Sequence, residues 1–231
     1  MPDRPTAVTK KGTKTRQRII ETAKILFYEN GYDQTALIEI CKAAEVKPGT
    51  MTYYFKTKYD LVRELYESVF RRCYEFVESK LAREVGSLEK NTIVAFVYYQ
   101  AVCADENTRR FHLENLKKSR VTDFISGVSL PVAGKIFEEL KAGFSEKEAE
   151  YVELAWNGVS REMFIDFITD PKGRQVQDVV NTIYIFRARL LTADENEMKV
   201  YLYNGMNLVQ NFDHSHITLL GPDWTPGQSH R

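Results

Sequence analysis

Residues 37–58, LIEICKAAEVKPGTMTYYFKTK, decide the fold. Leu37, Ile40, Cys41 and Ala44 recur at helical spacing, so the stretch opens with a short amphipathic helix. Glu45-Val46-Lys47 makes a tight turn, with Val46 placed to fill the angle between two helices. Pro48 suits a first helical position, where its missing N–H costs nothing. The second helix, 48–55, is short and carries Thr50, Thr52, Tyr53 and Tyr54, with Lys47 just before it. The pair is a helix-turn-helix, whose second helix enters the DNA major groove with its N-terminal residues toward the base edges. Small hydroxyls, tyrosines and a lysine suit that task, and Gly49 lets the backbone come close to the duplex.

Upstream, residues 13–30 form a first helix with Ile19, Ile20, Ala23, Leu26 and Phe27 along one stripe. Lys14, Arg16 and Arg18 crowd its N-terminal end, against the helix dipole. A nearby phosphate relieves that conflict, which makes Arg16 and its neighbours candidate backbone contacts. Asn30-Gly31 ends the helix, Tyr32 folds back onto the small core, and Thr35 is placed to cap the next helix. Downstream, Thr57-x-x-Asp60 is a capping-box start for a long helix through Leu61, Leu65, Val69 and Phe76 to Leu81.

With those residues in place, the stretch from Thr15 to Leu65 resembles the TetR (tetracycline-repressor-like) family of transcriptional regulators. The matched positions include Arg18-Ile19-Ile20, Leu26-Phe27, Gly31-Tyr32, Ala43-Ala44, Gly49-Thr50, Tyr54-Phe55 and Lys58. Three positions depart from the family pattern. Glu45 stands where glycine is usual, Lys47 where serine or threonine caps the recognition helix, and Thr52 where a tyrosine is common. The resemblance implies phosphate contacts from Lys58 and from Thr35. It also implies that the C-terminal helices form a homodimer and enclose a small-molecule pocket. Repression, relieved when the effector binds, is the mode it implies.

Composition agrees with a globular chain: 231 residues, 43% hydrophobic and 28% charged. The net charge is zero, but residues 1–58 carry 11 Lys/Arg against 6 Asp/Glu, net +5, and residues 59–231 carry 21 against 26, net −5. The polyanion-facing surface therefore lies toward the N-terminus. Cys41, Cys73 and Cys103 are widely spaced among apolar neighbours and make no metal or disulfide pattern. The first dozen residues lack an apolar core, and no run reaches the roughly 18 apolar residues of a membrane span. The expectation is a cytoplasmic protein that touches no membrane.

The rest of the chain is helical throughout, giving an all-α fold of nine or ten helices. The expected organisation is an N-terminal arm with a three-helix DNA-binding domain over 1–57, a larger helical body over 58–211, and a loose tail over 212–231. Residues 92–105 read as a buried helix. Ser145-x-x-Glu148 opens a long helix to about Thr169, 174–191 forms another, and Thr192-x-x-Glu195 opens a last one to about 211. The resemblance implies that helices 146–169 and 174–191, with help from 195–211, form the dimer face, with Ala155, Gly158 and Ser160 permitting close approach. Two copies are needed because one short recognition helix makes few contacts, whereas a pair one DNA turn apart reads a palindrome.

Aromatics with interspersed polar groups give a candidate effector pocket: Phe96, Tyr99, Gln100, Phe124, Trp156 and Asn157. Aromatics at helical spacing also fit a plain core. An apolar or aromatic effector is the reading that composition favours. The alternative is a DNA-binding regulator whose second domain docks a protein partner. No catalytic constellation is present: there is no Gly-rich phosphate loop, no G-x-S-x-G, and three of the four histidines fall in the tail. No cofactor and no metal are expected.

Overall fold

The computed structural model describes residues 10–118 and 132–221. Among these residues there are ten helices and no strand. They are α1 (Lys10–Gln34), α2 (Leu37–Ala43), α3 (Pro48–Tyr54), α4 (Lys58–Lys80), α5 (Ser87–Val102) and α6 (Glu106–Leu116). There follow α7 (132–140), α8 (Glu146–Thr169), α9 (Val176–Leu190) and α10 (Glu195–Asn211).

The apolar periodicities close one continuous core. In the N-terminal unit, Ile19, Ala23 and Phe27 of α1 meet Ile40 of α2 and Met51 of α3, all at most 1% exposed. Leu61 and Leu65 extend that core along α4. Helix α5 is the hub of the body. Residues 91–98 are all buried, because α4, α6, α9 and α10 pack around it. This all-round apolar helix is what the run IVAFVYYQAVCA demands. Phe96 faces α10, where Gly205 has no Cβ because one would overlap the ring.

Helix starts follow side-chain chemistry. The Thr57 hydroxyl accepts the Asp60 N–H while the Asp60 carboxylate takes the Thr57 N–H at 2.8 Å. Ser145 and Glu148 make the same reciprocal box at α8. Two sequence expectations fail for a common reason. Thr192 does not cap α10; it sits just past α9 at φ +52, with the Ala193 N–H returning to Ala188 O at 2.8 Å, and Asp194 caps α10. Thr35 does not cap α2; Ala36 holds that place, and the Glu39 carboxylate takes its N–H at 2.7 Å.

The tail is not loose where it is described. Ile217, Leu219 and Leu220 are buried, Arg72 donates to Thr218 O at 2.7 Å, and His214 Nε2 meets Gln100 Oε1 at 2.6 Å. The cluster of large apolar residues Ile217, Leu219 and Leu220 is the sequence signal for this anchoring. Residues 222–231, the basic arm before Lys10 and the segment around Pro131 lie outside the described residues.

Candidate functional site

The turn between α2 and α3 is a Schellman motif. Glu45 adopts φ +50, its N–H donates to Lys42 O at 3.1 Å, and the Val46 N–H donates to Cys41 O at 3.0 Å. Val46 then packs on the core, as its place in the angle requires. Glycine is favoured at such a left-handed position, so this chain carries a side chain in a conformation that disfavours one.

Helix α3 starts at Lys47, whose carbonyl accepts the Thr50 and Met51 N–H groups at 2.9 and 3.1 Å. Buried Met51 pins its inner side. The outer side is a stripe of Gly49, Thr52 and Tyr53, with Lys47 at the start and Lys56 just beyond the end, all exposed. Tyr53 is 73% exposed, the most open of the large hydrophobic residues described, and nothing lies within 4 Å of a Cβ built at Gly49. Thr50 and Tyr54 are half-buried, with the Tyr54 ring edge-on to Tyr53 at 4.9 Å. Lys56 belongs to this face, although residues 48–55 bounded the helix read from sequence.

The other candidate contacts are more tightly engaged than the sequence suggested. The Arg16 guanidinium pairs with Glu64 and stacks over Phe55 at 5.2 Å. Buried Thr35 spends its hydroxyl on Gly31 O at 2.7 Å and Leu26 O at 3.2 Å, which locks the α1–α2 turn. Lys58 Nζ donates to Tyr32 O at 2.6 Å and Thr35 O at 2.7 Å, and lies 4.0 Å from the Tyr32 ring centroid. Burial pushes its pKa down, against an opposing pull from Asp33.

In the body, a cavity of about 40 Å³ lies between α5, α6 and α8. Its rings are Tyr98, Tyr99, Trp156 and Phe164, and Tyr99 stacks on Phe164 at 3.9 Å. Its polar groups are His112, Asn157, Ser160 and Arg161, with Leu116 completing the wall. Three of the sequence candidates, Tyr99, Trp156 and Asn157, line it. Phe96 and Gln100 do not: one is packed on α10 and the other holds His214. Phe124 lies outside the described residues. Ser160, assigned from sequence to the dimer face, is instead buried and lines the cavity. Burial lifts the Tyr99 phenol to about 12.

His112, one of the polar groups that lie among those aromatics in the sequence but not one of the six candidates, also lines the cavity. It is 1% exposed, its Nδ1 lies 2.6 Å from the Tyr66 hydroxyl of α4, and burial pushes its pKa down to about 3. Behind the cavity wall, buried Arg187 donates to Asn91 Oδ1 at 2.6 Å, pairs with Glu153 at 3.6 Å and lies over Trp156 at 4.6 Å. This network fastens α9 to α5 and α8. On the outer side of α8 and α9 is an open apolar depression of about 650 Å³, walled by Val159, Met163, Phe186 and Leu190 with Gly158 between them.

Among the described residues no helix is long and apolar enough to cross a membrane, and no three His, Cys, Asp or Glu side chains gather as metal ligands do.

Comparison with known proteins bears on the reading unit and the fold. Residues 19–65 match the family described as bacterial regulatory proteins, tetR family. The fatty acid metabolism regulator protein of Bacillus subtilis (strain 168) is 26% identical over 144 residues, 60% of this chain and 74% of that protein. The HTH-type transcriptional regulator AcrR of Shigella flexneri is 44% identical over 54 residues, 23% of this chain and a quarter of that protein (25%). Among solved structures, RolR bound to resorcinol aligns with a TM-score of 0.59 at 17% identity, over 84% of this chain and 95% of that one. At that identity the likeness is one of fold.

Proposed function

Since the chain belongs to the TetR family of bacterial transcriptional regulators, we propose that it is a homodimeric repressor released from a palindromic operator by a small, largely apolar or aromatic effector. The protein is a DNA-binding regulator and not an enzyme. We place the reading unit in residues 1–57 and the effector-binding and dimerisation body from 58 onward, with the segment through Leu220 belonging to that body. Acting on the chromosome, it works in the cytoplasm.

The observation that carries this reading is the exposed stripe of α3, Gly49, Thr52 and Tyr53, in a segment, residues 1–58, whose net charge is +5. In it, Thr50 and Thr52 read base edges, Tyr53 and Tyr54 flank them, and Gly49 admits the backbone. Lys47, Arg16 and Lys58 neutralise phosphate, while Thr35 acts by fixing the α1–α2 turn. The apolar depression on α8 and α9 supports self-association, which sets the two α3 helices one DNA turn apart.

Helix α6 supports a route from cavity to DNA. His112 and Leu116 line the cavity, and other α6 residues grip the end of α1. Arg110 donates to Tyr28 O and Glu29 O at 2.9 Å, and Phe111 packs on Phe27 at 5.1 Å. A ligand that opens the cavity therefore moves a helix already attached to the reading unit. Converting a 99:1 bound population to 1:99 needs about 5.5 kcal/mol of differential affinity.

The test pairs two measurements. DNA affinity is followed over a salt series, where neutralising roughly 6–10 phosphates lowers it about a thousandfold or more between 50 and 200 mM salt. A thermal-shift screen of apolar and aromatic compounds is then followed by DNA mobility shift. A compound that raises Tm and releases DNA is the expected result. Salt-insensitive binding would end the DNA reading, and hits that leave DNA bound would end the effector reading.

A further inference from the structure

The cavity between α5, α6 and α8 has one feature that a plain aromatic core lacks. His112 is buried to 1% exposure, and its two ring nitrogens differ. Nδ1 is held by the Tyr66 hydroxyl at 2.6 Å, whereas Nε2 is buried with no hydrogen-bond partner among the described residues. A buried polar atom without a partner is uncommon in folded proteins, because the group loses its water and gains nothing. Here the unpartnered atom belongs to a ring that lines an unfilled space.

The character of that space limits what can fill it. Its walls are mostly aromatic. Among the described lining residues the one charged group is already engaged. Arg161, the one lining cation, donates through Nε to Leu116 O at 2.7 Å and pairs through its guanidinium with Glu162. Burial keeps His112 neutral at physiological pH. A carboxylate or an ammonium would be desolvated there without a free counter-charge. At about 40 Å³ the space is room for about one or two waters, so even a single ring enters only as the walls move apart.

We propose, building on the effector reading above, that the ligand of this cavity is an uncharged single-ring aromatic bearing a hydroxyl, and that His112 Nε2 is the group that recognises the hydroxyl. A hydroxyl both donates and accepts. It therefore completes His112 in either neutral tautomer, whichever of Tyr66 and His112 donates in their shared hydrogen bond. A bare hydrocarbon leaves Nε2 unpaired. The same hydrogen bond ties the ligand to Tyr66 on α4, the helix that follows the reading unit, so recognition and release share one residue.

The test uses the full-length protein and four probes: p-cresol, toluene, 4-methylbenzoate and octanoate. Affinities are measured by calorimetry, and release from DNA by fluorescence anisotropy. The expected result is p-cresol binding at least tenfold tighter than the other three, with the His112 Nε2 resonance in ¹⁵N NMR shifting as p-cresol is added. His112→Phe, which keeps a ring of similar size, should bring p-cresol and toluene to equal affinity. The NMR titration on the unaltered protein carries the test if that variant does not fold. Equal binding of toluene, or an unmoved Nε2 resonance, overturns the proposal. If octanoate or 4-methylbenzoate binds best and releases DNA, the ligand class is wrong while effector control stands. If none of the four binds, the ligand class is also wrong, and the broader thermal-shift screen decides effector control separately.

Discussion

The Glu114 carboxylate on α6 accepts the main-chain N–H of Tyr32, beyond the bend of α1, at 2.5 Å, and that of Asp33 at 3.1 Å. The contact depends on Gly31, whose φ of 80° and ψ of 174° belong almost exclusively to glycine. A Cβ there would sit 2.7 Å from Glu114 Oε1. Glu114→Ala should lower stability by about 1–2 kcal/mol, the scale of a charge-assisted hydrogen bond at a half-buried site. It should also weaken the coupling between effector and DNA, so that a saturating effector releases less of the operator. Gly31→Ala should destabilise by more, and combining it with Glu114→Ala should not restore it, because the backbone strain remains. Thermal melts and anisotropy at saturating effector measure both effects. Full release in Glu114→Ala would remove α6 from the route.

On the proposed reading, Lys58 has two tasks where the sequence presented one. Two of its three N–H donors are committed to the carbonyls of Tyr32 and Thr35, which leaves one for a phosphate. Lys58→Ala is therefore expected to lower Tm by several degrees as well as weaken DNA binding. The slope of log affinity against log salt should fall by about one per site, equally for every operator sequence. An unchanged slope with a lowered Tm would leave Lys58 as a structural clip alone.

Glu45 occupies a left-handed position with φ +50 at the centre of the reading unit. Its side chain is exposed, so replacing it removes little packing. Glu45→Gly should stabilise the protein by about 0.5–1 kcal/mol through relief of the backbone penalty, offset in part by the greater freedom of the unfolded chain. Denaturant melts read the change directly. A loss of stability would mean that the Glu45 side chain contributes more than its exposure indicates.

The reading unit was legible in the sequence because its determinants are local. Pro48, the apolar spacing of 37–44 and the Thr57/Asp60 box each act within a few residues, and each gives the expected element. What remained hidden depends on partners far along the chain. Arg16 pairs with Glu64, 48 residues away, and His112 is hydrogen-bonded to Tyr66, 46 residues away. Helical spacing alone gives no reason to prefer His112 over His214. Thr192 misled because Thr-x-x-Glu fits a capping box wherever it occurs, and only the end of α9 decides whether Thr192 closes one helix or opens the next. Phe96, Tyr99 and Gln100 lie within five residues on α5, yet only Tyr99 reaches the cavity, since α5 is buried on every side.

The outer face of α8 and α9 tests self-association. In a two-fold dimer each residue near the axis meets its own counterpart, so one substitution introduces two like charges. Val159 and Met163 are half-buried within the depression and Phe186 is 40% exposed. Val159→Glu with Met163→Glu places like charge on the apolar walls without touching the cavity side of α8. Light scattering should find a monomer, and operator affinity should fall at least a hundredfold while the helical circular dichroism persists. A variant that remains dimeric would move the interface to another face.

His112 makes stability depend on pH in a direction that can be worked out. Its pKa is about 3 in the fold, where burial disfavours the imidazolium, against about 6.5 in the unfolded chain. Between those values the unfolded state binds a proton that the folded state does not, so stability rises with pH across the window and falls on acidification. Going from pH 7 to pH 5 should cost about 2 kcal/mol from this residue alone. Glu148, Asp166 and Glu195 are held below their ordinary values by hydrogen bonds and titrate below that interval. Glu153 is pushed the other way by burial and, as the group then protonated more readily in the fold, opposes the loss. His112→Phe should flatten the dependence of Tm between pH 7 and pH 5, whatever its effect on the absolute value. A variant whose Tm falls as steeply as that of the parent would mean that His112 is not the neutral, buried base its surroundings require.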